Sequence, residues 1–447
     1  MEKKERRSFR TMFALGFGYF IDQGEAQAMS VLVTVIQSVF NVSYKQLGLM
    51  TTLRNITQSI SAPVWGYLAD KYSRKKVLLF GTGIWGFWTV AVGFMPNFTG
   101  ILIVRAISGL GLGCLMPATF SILGDHFRQE KRGKALGFIH AIGLLGTVIG
   151  VVALGFVATV DLWQWGFIGL GLFSVVSGLL IWWLVEEPPR GSAEPEIADL
   201  ITHDSEKKFL INWQDVFKTL SIPTIWAAII QGVSGSMPWV VMSFYFVNWM
   251  VTQLDFKNEI DLVNPTRSAP LVFAVIVIGA AISNYVGGLI GDWAEKKSWK
   301  YGRTIIGQIS VFSGVPLFYI LFTKGTEMSF WGIFGLAFGT ALLIGWPGTG
   351  AKEPMMQAVV PPELRSSAYS MVTMIESGLA AFSGLITGIL ADKIGLTKAL
   401  LWTVPFPWLI CTVLFTIFYF TYPKDALKVR QQMADRRDDL LADQTAQ

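Results

Sequence analysis

Seven ionisable side chains lie inside stretches otherwise too apolar to face water: Asp22, Glu25, Arg54 and Arg105 in the first half, and Lys352, Glu353 and Glu376 in the second. An ionised group near the centre of a bilayer costs from about 2.5 kcal/mol upward, so each must be paired, hydrated or protonated. Asp22 and Glu25 are three apart and share a helical face. At about 1.5 Å of rise per residue they reach a depth similar to that of Arg54 and Arg105, which predicts one charge cluster. Two carboxylates meet two guanidinium groups in the first half, and two carboxylates share one ammonium in the second. The negative charge left over implies a carboxylate that holds a proton for part of a cycle, since burial and a neighbouring cation act on a carboxyl group in opposite senses. Asp22 or Glu25 is the expected proton-coupling site and Arg105 its electrostatic switch, with Glu376 the candidate in the second half. The alternative for Asp22, Arg54 and Arg105 is ion pairing that only fixes helix packing.

A solute would meet Arg54, Arg105 and Glu376, together with the aromatic residues Trp239 and Tyr245 of the seventh apolar stretch and Trp346 of the tenth. Gly345-Trp-Pro-Gly-Thr-Gly350 in the tenth stretch, and Gly232, Gly235 and Pro238 in the seventh, predict loosened or bent helices, because backbone groups freed in a membrane persist only inside protein or beside water. Lys352 and Glu353 are adjacent and point in different directions on a regular helix.

The elements that must position these residues are membrane helices. Apolar residues make up 52 % of the 447, charged residues only 15 %, and mean hydropathy is +0.49. Twelve spans of bilayer length are expected at 11–40, 46–69, 77–95, 98–123, 134–159, 166–185, 224–254, 269–291, 304–322, 329–359, 366–391 and 399–421. That is an all-α membrane protein of two pseudo-symmetric six-helix bundles, 1–185 and 222–423. A polar linker at 186–221 joins them, and a tail at 424–447 follows. Cations cluster at the amino terminus and in every second connector, which predicts a multi-pass protein of the cell or inner membrane with both termini cytoplasmic. That asymmetry, facing anionic lipid, also accounts for the net charge of +5 without a nucleic-acid partner. Cys114 and Cys411 are far apart, the three histidines form no cluster, and no Gly-Lys-Ser/Thr phosphate loop is present. No metal, cofactor or enzymatic activity is expected.

Internal repeats relate the two halves. Gly66-Tyr-Leu-Ala-Asp70-Lys71-Tyr-Ser-Arg74-Lys-Lys follows the second span, and Gly288-Leu-Ile-Gly-Asp292-Trp-Ala-Glu-Lys-Lys follows the eighth. Phe127-Arg-Gln-Glu-Lys-Arg132-Gly-Lys-Ala and Val360-Pro-Pro-Glu-Leu-Arg365-Ser-Ser-Ala echo each other after spans four and ten. Such repeats mark secondary transporters whose solute site lies between the halves near the midplane. The segment Gly66–Lys76 resembles the signature of the major facilitator superfamily, as does Arg105-x-x-x-Gly109-x-Gly111. The resemblance implies that fold, alternating access, and a cytoplasmic latch built from Gly66, Asp70, Lys71, Arg74, Arg132, Asp292 and Arg365. Glu187-Pro-Pro-Arg-Gly191 and Asp22 also resemble the Spinster-like branch, which implies lysolipid or sphingoid solutes; Gln23 and Leu112 depart from that branch's Arg and Glu. The expectation is a monomeric proton-coupled secondary transporter of a small organic solute, anionic, amphipathic or lysolipid-like. A multidrug/proton antiporter is the alternative within transport, and a lipid scramblase or non-transporting membrane sensor the alternative outside it.

Overall fold

In the computed structural model, residues 2–71, 73–126, 129–187, 219–253, 265–360 and 365–446 are described. The first half contains α1 (Glu2–Phe40), α2 (Tyr44–Lys71), α3 (Arg74–Leu78), α4 (Gly86–Val92), α5 (Phe98–Leu112), α6 (Leu115–His126), α7 (Gln129–Val157) and α8 (Trp163–Leu184). The second contains α9 (Pro223–Gln253), α10 (Pro265–Lys297), α11 (Gly302–Lys324), α12 (Phe330–Ile344), α13 (Glu353–Val359), α14 (Arg365–Ala380), α15 (Phe382–Ile394), α16 (Leu396–Thr403), α17 (Pro405–Leu414) and α18 (Phe418–Ala446).

Local chemistry sets several boundaries. Asn41 ends α1 in the left-handed region at φ 48°, a conformation Asn tolerates better than most residues. Ser73, Asn97 and Ser329 accept backbone N–H groups at the starts of α3, α5 and α12. Val404 precedes Pro405, so the last stretch breaks there.

Several expected spans are not single helices. The third runs from α3 through a π turn at Leu79–Ile84 into α4, and the tenth from α12 through a π turn at Pro347–Lys352 into α13. The fourth breaks between α5 and α6 at Gly113 and Cys114, and the eleventh between α14 and α15 at Ala381. Interruptions therefore occur in both halves, which corrects the expectation that they concentrate in spans seven and ten; α9 continues through Pro238. The glycines at the first π turn explain its position: a Cβ on Gly83 would lie 2.8 Å from Gly178 Cα. Neighbouring backbone, not propensity, fixes that bend.

Seven helices among the described residues are long and apolar enough to cross a membrane, and all except Trp163–Leu184 follow Pro223. Only 33 % of that helix's most apolar window is buried, so most of its side chains meet an apolar solvent and the protein is a multi-pass membrane protein. In the first half, α2 misses this standard because Thr51, Thr52, Arg54, Asn55, Thr57, Gln58, Ser59 and Ser61 interrupt its apolar sequence.

The halves meet through α1 against α9, α2 against α14 and α15, and α7 against α10. One large apolar core spans both, and its first-half members begin at Ala28 of α1. A second core, with Ala14, Leu15, Leu78, Cys114, Leu115 and Ile181, belongs to the first half alone and lies where α1 begins. Among the described residues the halves thus share apolar packing at the α1–α2 end and not at the opposite end.

Candidate functional site

In the first half, α1, α4 and α5 bring three side chains together. Arg105 Nη1 lies 3.5 Å from Glu25 Oε1, with each side chain 2 % exposed. The Thr89 hydroxyl donates to the same oxygen at 2.8 Å. The guanidinium also sits 5.8 Å from the centre of the Phe167 ring. A carboxylate and a guanidinium this deep hold their charges only by holding each other.

Asp22 and Arg54 lie within electrostatic reach of this pair but outside it. Asp22 is half-buried and, among the described residues, makes no ion pair. Arg54 Nη1 donates to the neutral Asn55 Oδ1 at 3.1 Å, while its buried Nε has no acceptor. The four expected cluster members are therefore neighbours, divided into a sealed pair and an open carboxylate beside an incompletely satisfied guanidinium.

The second half holds its own pair. Lys352 Nζ lies 2.5 Å from Glu376 Oε2, with the side chains 15 % and 13 % exposed, and the Ser236 hydroxyl donates to Glu376 Oε1. The close approach needs glycine at 232, because a Cβ there would come within 2.3 Å of Glu376 Oε2. Glu353 turns away to hydrogen-bond Tyr369, as adjacency to Lys352 requires.

The aromatic candidates separate. Trp239 packs edge-on against Trp408 with ring centres 6.3 Å apart. The Trp346 indole N–H donates to Leu342 O at 3.0 Å, and its backbone lies against Gly287 of α10. Tyr245 is fully buried and its hydroxyl lies 3.1 Å from both Tyr44 O and Gly384 O, so it ties the halves together.

Other direct polar contacts between the halves lie at that same end. Ser43 and Gln46 form a capping box at the start of α2, which leaves the Tyr44 and Lys45 N–H groups open. Asp392 of α15 fills both, at 2.8 and 2.9 Å. Asn248 of α9 donates to Thr34 and Gln37 of α1 at 3.0 and 3.2 Å. The helices cross closely here: a Cβ on Gly48 would lie 2.3 Å from Gly384 O, and one on Gly388 2.2 Å from Tyr44 O.

At the opposite end, the described members of the expected latch pair within their own halves. Glu187 accepts from the Ser73 hydroxyl, from the Arg74 backbone N–H at 2.7 Å and from Arg74 Nε at 3.2 Å. Burial pushes its carboxyl up, and these hydrogen bonds and the Arg74 charge outweigh that and hold it below its ordinary range. Asp292 pairs with Arg303 at 2.6 Å, and Glu295 joins at 2.5 Å. Gly66, Asp70, Lys71, Arg132 and Arg365 lie outside the residues whose side chains are described.

Arg303, Asp392, Ser236 and Thr89 were not singled out from the sequence. Arg303 carried a signal, since it opens α11 after the Gly-x-x-x-Asp repeat much as Arg74 opens α3. Asp392 carried none beyond its place at a span end.

The sequence model of the Major Facilitator Superfamily matches residues 15–378, and the chain belongs to that superfamily. Spinster homolog 1 of Xenopus laevis is 25 % identical over 371 residues, covering 80 % of this chain and 68 % of its own. A probable L-galactonate transporter of Escherichia coli (strain K12) is 22 % identical over 390 residues, covering 85 % and 82 %. A bacterial homolog of the human lysosomal transporter Spinster, solved inward-facing and unoccupied, matches with a TM-score of 0.75 at 18 % identity, covering 95 % of this chain and 98 % of that one. The protein is a membrane transporter of this superfamily, similar to Spinster proteins, and not an enzyme.

Proposed function

We propose that the chain is a proton-coupled secondary transporter of a small organic solute, anionic or amphipathic, working by alternating access between bundles 1–185 and 222–423. Twelve spans with both termini cytoplasmic place the α1–α2 end outside, so this form is closed outside and parted inside. Asp22 carries the proton in this reading. Glu25–Arg105 acts as the fixed electrostatic neighbour, and Arg54 with the Glu376 region receives the solute. Asp70, Lys71, Arg132 and Arg365 complete the cytoplasmic latch begun by Arg74 and Asp292.

The observation that carries the reading is the half-buried Asp22, without an ion-pair partner among the described residues and beside a sealed pair. A carboxylate at that depth and without direct neutralisation gains most from taking up a proton. The carboxylate solute in the name of the Escherichia coli relative suits the open guanidinium of Arg54. A thermal-shift screen of organic anions and lysolipids finds the solute, and flux of that solute in proteoliposomes at two pH values tests coupling. Accumulation above equilibrium under an imposed pH gradient, lost in Asp22→Asn, is the expected result. A protein that only equilibrates its solute is a passive pathway and overturns the reading.

A further inference from the structure

The second-half Gly-x-x-x-Asp segment connects physically to the buried Lys352–Glu376 pair. Arg303 is almost fully buried at the start of α11, although its two carboxylate partners are at least a third exposed. Its Nη2 holds Asp292 and Glu295, while its Nη1 reaches inward and donates to the Gly350 carbonyl oxygen at 3.0 Å. Gly350 belongs to the Pro347–Lys352 π turn, whose last residue is Lys352.

The surroundings leave this turn little room. A Cβ on Gly291 would lie 2.1 Å from Gly350 O, one on Gly350 2.5 Å from Gly287 O, and one on Gly287 2.6 Å from Trp346 Cα. The turn is thus pressed backbone to backbone on α10, one residue before Asp292. A π turn carries one more residue than the α-helical pattern holds, so its carbonyls do not all find their usual partners and its register has to be fixed from outside. The side chain that does so here is Arg303. A one-residue shift at Lys352 would rotate its ammonium by about 100° around the helix axis, away from Glu376.

We propose that Arg303 is a positioning residue: by gripping Gly350 O from its anchor on Asp292 and Glu295 it fixes the register of the π turn and so holds Lys352 Nζ on Glu376. The segment at the mouth and the buried carboxylate then move as one unit. The first half lacks the counterpart among the described residues, since Arg74 bonds Glu187 and its printed contacts do not reach the Leu79–Ile84 turn or the Glu25–Arg105 pair.

The test uses the full-length protein in detergent and needs neither solute nor flux, so it stands apart from the coupling reading above. The carboxylate stretching band of Glu376 is assigned by glutamate isotope labelling and by its loss in Glu376→Gln. Lys352→Gln is expected to move the band, Arg303→Gln to move it in the same sense, and Arg303→Lys to bring it back toward the wild-type position. Where Arg303→Gln is not recovered folded, Asp292→Asn, on the exposed side of the anchor, carries the same readout and the same expected direction. A band unmoved in Arg303→Gln or Asp292→Asn while Lys352→Gln moves it overturns the proposal. So does a band that Lys352→Gln leaves in place.

Discussion

The two halves each bury one acid–base pair, and they bury it differently. Glu25–Arg105 is sealed at 2 % exposure on both sides, joins α1 to α5, and leans on Thr89 and Phe167. Lys352–Glu376 keeps 15 % and 13 % exposure, joins a π turn to α14, and is hooked through Gly350 and Arg303 to carboxylates at the mouth. The first pair is a fixture and the second is part of a linkage. A transporter built from two related halves thereby separates two tasks: a charge environment that must not move, and a charge contact that changes as the halves rock.

Breaking the fixture has the largest expected effect. Arg105→Met leaves Glu25 buried without its cation, and losing one partner of such a pair costs about 3–5 kcal/mol. The loss is read as a lower melting temperature in detergent, accompanied by poor recovery. Lys352→Gln is expected to cost less, on the order of 1–3 kcal/mol, because Glu376 keeps the Ser236 hydroxyl and some exposure. Equal losses for the two variants would erase the distinction between the pairs.

A smaller effect separates the mouths. Glu187 caps α3 with a carboxyl held below its ordinary range, so its contribution is fully present above the usual carboxylate pKa and fades as pH falls through the lowered value. Wild-type melting temperature is expected to drop in that acidic window. Glu187→Gln is expected to flatten that part of the curve and to cost about 0.5–2 kcal/mol at neutral pH, the range for a lost helix cap. An unchanged acid limb would mean that the cap contributes nothing.

Much of this arrangement was legible in the sequence, and the boundary is physical. Three-residue spacing placed Asp22 and Glu25 on one face, and depth counting brought Arg54 and Arg105 to them; helical geometry is regular enough to carry that inference. The adjacency of Lys352 and Glu353 foretold that only one of them would meet Glu376. The repeats gave the superfamily. The sequence did not show which of Asp22 and Glu25 takes the pair, because that depends on side-chain reach between helices 80 residues apart in sequence, as in the Glu25–Arg105 contact. It did not show the breaks at Gly83 or Ala381, which neighbouring backbones and helix crossings impose. Arg303 and Asp392 read as ordinary residues near span ends, since the carbonyl and the N–H groups they bind belong to other helices.

The central claim is that Asp22, open and unpaired beside the sealed pair, is the group that couples transport to protons. Uptake of the solute found by the binding screen into proteoliposomes under an imposed pH gradient, comparing wild type with Asp22→Asn, tests it most directly. Wild type is predicted to accumulate solute above equilibrium, and Asp22→Asn only to equilibrate it with the binding affinity nearly retained. Gradient-driven accumulation by Asp22→Asn at the wild-type level would contradict the account.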